Sequence, residues 1–78
     1  MEKQEKYVLR YQKKGYTQSQ LDEAARVFGE QNGLREPNWE LYNDFGEMAV
    51  FGKDENGRVS EITMTFRELE RLVKKLEG

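Results

Sequence analysis

Apolar residues recur along this chain with two different periods, and each change of period marks a boundary between elements. From Gln18 onward Leu21, Ala24, Ala25 and Phe28 fall on one stripe at about 100° per residue, the spacing of an amphipathic helix. Its start is marked twice. Thr17 and Gln20 make a capping box, and Tyr16 and Leu21 occupy the positions of a hydrophobic staple. Asp22 and Glu23 lie toward the positive end, and Gly29 followed by Asn32-Gly33 stops the run, so the pattern predicts a helix over 18–31. The C-terminal segment has the same design: Thr65 and Glu68 form a capping box, and Phe66, Leu69, Leu72, Val73 and Leu76 recur along one stripe. Glu70 and Lys74 add an i,i+4 pair, and Lys74 and Lys75 sit near the negative helix end. That helix must pack its stripe on something, most simply the protein's own sheet, with a copy of itself in a homodimer as the chief competitor.

Between the two helical patterns the period changes. After Arg35-Glu36-Pro37 come Trp39, Leu41, Tyr42, Phe45, Met48, Val50 and Phe51, strand-favouring residues interrupted by Asn43-Asp44 and Gly46. Glu47–Gly52 and Arg58–Thr65 flank Lys53-Asp54-Glu55-Asn56-Gly57, a polar Asn-Gly loop that reads as a β-hairpin connection. Residues 39–43 read either as a third strand or as one helical turn started by Pro37.

Residues 2–14 satisfy both templates. As a helix, Glu2 and Glu5 suit its start, Lys13 and Lys14 its end, Gly15 the C′ position, and Gln4, Tyr7, Val8 and Tyr11 share a face. As a strand, Tyr7, Leu9 and Tyr11 alternate with Val8, Arg10 and Gln12, which places Leu9 better. The caps and the Glu/Lys/Gln composition tilt the reading to helix. The expected architecture is therefore a single α+β domain over 1–78: an N-terminal helical pair, an antiparallel hairpin or three-stranded meander, and a C-terminal amphipathic helix packed on the sheet.

Composition narrows the chemistry. The 78 residues hold no Cys and no His, which removes disulfides, zinc fingers, haem ligation and Cys/His or Ser/His catalysis. A chain of this size buries only about 60–65% of the surface its unfolded form exposes. A water-excluding pocket around a carboxylate pair or a depressed lysine is then hard to build, so no enzyme activity, metal or cofactor is expected. In the acidic loop Gly57 comes too early for an EF-hand and Arg58 intrudes. There is no long apolar run and no signal-peptide core at the N-terminus, so a cytoplasmic location and no membrane partner are expected. Size and charge are of a kind common among mobile-element and phage products, without a motif that names a family.

The net charge of −2 hides a segregation. Residues 1–20 carry +3, residues 21–57 carry −6 and residues 58–78 carry +1. Two candidate surfaces follow. The first is the acidic aromatic run, with Trp39, Glu40, Tyr42, Asp44, Phe45 and Glu47 as partner-binding residues. Trp and Tyr supply contact area at low entropy cost, and carboxylates steer a basic protein partner. Trp39 is also wanted in a core this thin, which leaves Tyr42 as the better exposed anchor. The second surface is the basic stripe that a helix over 2–14 would make from Lys3, Lys6, Arg10, Lys13 and Lys14, which could track phosphates.

Gly15-Tyr16-Thr17 followed by Leu21 and Ala25 resembles the opening of helix-turn-helix modules over about twenty residues. The Asp22, Glu23 and Glu30 that follow would repel phosphate. The leading expectation is a small non-catalytic regulator, adaptor or inhibitor that binds a basic protein surface. The alternative is a nucleic-acid-binding regulator.

Overall fold

A computed structural model of the chain describes residues 6–9 and 15–78. The described elements, in chain order, are β1 (Lys6–Val8), β2 (Gly15–Thr17), α1 (Gln18–Gln31), β3 (Arg35–Tyr42), β4 (Glu47–Lys53), β5 (Val59–Thr65) and α2 (Phe66–Glu77). They form an α+β arrangement of two helices with two antiparallel sheets, a β1-β2 pair and a β3-β4-β5 meander.

Both helices begin as their local chemistry dictates. Thr17 caps α1 by accepting from the Gln20 N–H while the Gln20 side chain accepts from the Thr17 N–H; Thr65 and Glu68 do the same for α2. Asp22 and Glu23 fall beyond the first turn of α1. They are engaged elsewhere, Asp22 with Trp39 and Glu23 with Arg26. The end of α1 is a Schellman motif: Gly33, at φ 76°, donates to Glu30 and Leu34 donates to Gly29, while Leu34 itself is buried.

The meander follows from alternation and short turns. Antiparallel partners share a face, so Trp39, Val50 and Ile62 form one inner row and Leu41, Met48 and Met64 the next. This face meets the helices. The core joins Met48, Val50 and Met64 to Leu21, Ala24 and Ala25 of α1 and to Phe66, Leu69 and Val73 of α2, with Tyr16 and Leu9 from the small hairpin. α1 lies against β3 and β4; α2 lies against α1, β4 and β5. Residues 39–42 thus belong to a third strand, which starts earlier than the pattern suggested, at Arg35, while Asn43 already lies in the turn that follows. Pro37 is tolerated there because β3 is an edge strand with a bulge between Arg35 and Asn38.

The expected first helix is corrected. Residues 6–8 are a strand, paired antiparallel with residues 15–17 in the register Tyr7 with Tyr16. The strand period governs burial: Leu9 is buried, Tyr7 packs on the core with its ring edge-on to Trp39, and Val8, which a helix would have turned inward, is 59% exposed. Gly15 opens β2 rather than ending a helix. Helix-favouring composition loses here because only the extended form delivers Tyr7 and Leu9 to the same side, where the core can take both. Among the described residues no helix is long and apolar enough to cross a membrane.

Candidate binding surface

With both helices on the inner face, no described element covers the other face of the β3-β4-β5 sheet, the open face. Its three rows run Asn38–Phe51–Glu61, Glu40–Ala49–Thr63 and Tyr42–Glu47–Thr65. Small Ala49 sits at the centre of this grid, and its burial is complete even though no helix covers it. Tyr42 explains why: its hydroxyl lies 3.2 Å from Glu61 Oε2 at the opposite corner, so the phenol ring crosses the sheet over Ala49. The diagonal reach is available because strands twist relative to one another. Tyr42, Phe51 and Glu47 are half-buried, while Glu40, Glu61 and Thr63 are exposed.

Electrostatically the face is one-sided. Glu40, Glu47 and Glu61 surround the tyrosine, and Lys53 stands at one end. Partial burial, with Glu61 and Glu40 beside it, holds the Tyr42 phenol above the usual tyrosine value. At the same end of the sheet as Lys53, a shallow depression of about 360 Å³ is lined by Arg35, Glu36, Lys53 and Gly57. Charges of both signs meet there, and the Arg35 guanidinium donates to the Asp54 carbonyl. The Asp54 carboxylate is occupied by its own turn, accepting from the Asn56 and Arg58 N–H groups at 2.8 and 3.0 Å.

The six residues expected to bind a partner are divided by the strand pleat. Glu40, Tyr42 and Glu47 share the open face. Trp39 points the other way: its ring packs against the core and its Nε1–H donates to Asp22 Oδ1 at 2.6 Å, pinning β3 to α1. Asp44 and Phe45 lie in the turn at the end of the sheet, closed by hydrogen bonds from Phe45 to Tyr42 and from Gly46 to Asn43. Phe45 is 78% exposed there, the most exposed large apolar side chain among the described residues. Phe51 and Glu61 complete the face and escaped the sequence reading. The Asn-Gly loop length carried the missing signal, since it sets the register that brings Phe51 opposite Glu61.

The basic stripe loses its scaffold. Lys6 sits in β1, so no continuous helix through 2–14 can align it with the other cations. Lys3, Arg10, Lys13 and Lys14 lie outside the described residues. Compared with known proteins, the chain matches no family model, no curated protein and no solved structure, so its function is read from its own residues.

Proposed function

We propose that this protein is a small non-catalytic binding regulator, adaptor or inhibitor that docks a basic surface of a protein partner on the open face of β3, β4 and β5. The observation that carries the reading is the grid itself. Glu40, Glu47 and Glu61 surround the Tyr42 ring on a face that neither helix covers, and Phe45 projects from the adjoining turn. An aromatic anchor ringed by carboxylates suits arginine-rich or lysine-rich protein surfaces: the ring stacks on a guanidinium, while the carboxylates steer approach and pair with it. Tyr42 is already held in place by Glu61, so ordering it on binding costs little.

The test is capture of a partner from the native host, followed by titration calorimetry of the purified pair. Glu40→Lys with Glu47→Lys is expected to weaken binding at least about tenfold, and added salt is expected to weaken the wild-type complex. Glu23→Lys, a charge change of the same sign on α1, serves as the control and should leave affinity unchanged. Equal affinity for the face variant and the control would end this reading.

A further inference from the structure

The two edges of the meander are built differently, and the difference points to a second copy of the chain. The β3 edge is blunted: it carries a bulge between Arg35 and Asn38, Glu36 at φ 52°, and Pro37, which has no N–H to offer. The β5 edge has none of these devices. Val59–Thr65 is an unbroken seven-residue strand with four β-branched residues and one charge, Glu61, and no described strand pairs with its outer side.

The helix above supplies an apolar margin. Glu77 accepts a hydrogen bond from the Gln20 side chain, and Glu70 and Glu77 both act on Tyr16, so that flank of α2 faces α1 and β2. At about 100° per residue Leu72 and Leu76 lie on the other flank. Leu72 is half-buried and Leu76 is 38% exposed, and Ile62 in β5 below is half-buried too.

We propose that β5 pairs antiparallel with β5 of a second copy about a two-fold axis at Ile62, forming a six-stranded sheet with the Leu72–Leu76 flanks of the two α2 helices closing over the seam. The strand is self-complementary in this register. Ile62 meets its own copy and Ser60 meets Met64 on the helix side, while Glu61 meets Thr63 and Val59 meets Thr65 on the open side. No like charges face each other, and both inner faces stay on the same side of the joined sheet. A register centred one residue earlier would set Glu61 against Glu61. The pairing would engage the edge backbone groups that no described strand pairs and cover the apolar margin, gains that a chain with a thin core and no covalent staple needs. It rests on the β5 edge rather than on what binds the open face, with which it shares Glu61 and Thr63.

Sedimentation velocity across a concentration series tests it. The wild type is expected to shift from monomer to dimer. Thr63→Glu sets two like-charge pairs across the seam and should raise the dissociation constant about tenfold or more, whereas Glu61→Lys with Thr63→Glu turns them into two opposite-charge pairs and should restore dimerisation. Both positions are exposed, so far-UV circular dichroism should be unchanged. Leu76→Glu, near the chain end, supplies a second disruption should Thr63→Glu not fold. A wild type that stays monomeric throughout overturns the proposal. So does a dimer indifferent to both Thr63→Glu and Leu76→Glu, or one that the double variant fails to restore.

Discussion

Gly29→Ala separates helix propensity from packing, because the two make opposite demands at that position. Gly29 lies inside α1, where propensity alone favours alanine by about 0.8–1 kcal/mol. A methyl group there would stand 2.7 Å from Pro37 Cβ, 3.1 Å from Pro37 Cγ and 3.4 Å from Val50 Cγ1. The proline ring cannot rotate away, and its neighbour Asn38 is tied to Phe51 in the sheet, so relief requires moving α1 off β3. Overpacking of this kind costs about 1–3 kcal/mol. The clash is expected to win by about 1 kcal/mol, lowering Tm by about 4–8 °C for a domain of this size.

Thermal melts followed by circular dichroism, and urea melts followed by the fluorescence of the single tryptophan, would both read the change. Pro37→Gly removes the obstructing atoms. In that background Gly29→Ala should become neutral or stabilising, a coupling of about 1–3 kcal/mol between the two sites. If Gly29→Ala raised Tm in the otherwise native chain, the close approach of helix and strand would not be limiting and the packing argument would fail.

Two further outcomes follow from the same contacts. The phenols of Tyr16 and Tyr42 both titrate above the usual value, Tyr16 because of burial and then the Glu70 and Glu77 carboxylates. The unfolded chain therefore releases these protons first as pH rises, and the stability these two phenols contribute, fully present below about pH 10, should fall above it. Urea melts from neutral to alkaline pH would show the fall, and Tyr16→Phe should flatten it; a slope unchanged in that variant would remove Tyr16 as the cause. Trp39→Phe deletes the bond to Asp22 and should cost about 0.5–1.5 kcal/mol in urea melts followed by circular dichroism, while leaving partner affinity intact, since Trp39 faces the core. A large affinity loss would place Trp39 in the interface after all.

The parts of this protein that were legible along the chain are those whose causes are local. Both helices, their capping boxes and the Asn-Gly hairpin depend on residues three to five apart, so Thr17, Gln20, Thr65 and Glu68 announce them without reference to the rest of the fold. The acidic aromatic run was legible as composition, but its division was not. Whether Trp39 or Tyr42 faces outward depends on which side of β3 the helices cover, and that is settled by residues far along the chain.

The amino-acid sequence by itself determined the α+β class, the two capped helices and the bareness of the chemistry, because caps, periodicity and missing residue types act locally. The tertiary structure alone decided three things. Residues 6–8 became a strand because β2 and the core could accept Tyr7 and Leu9 only from an extended chain. Tyr42, Glu40, Glu47, Phe51 and Glu61 came together because the strand register, rather than sequence proximity, sets neighbours across a sheet. Among the described residues no strand pairs with the outer side of β5, because the meander ends there, and an edge is a property of strand order that no single segment carries.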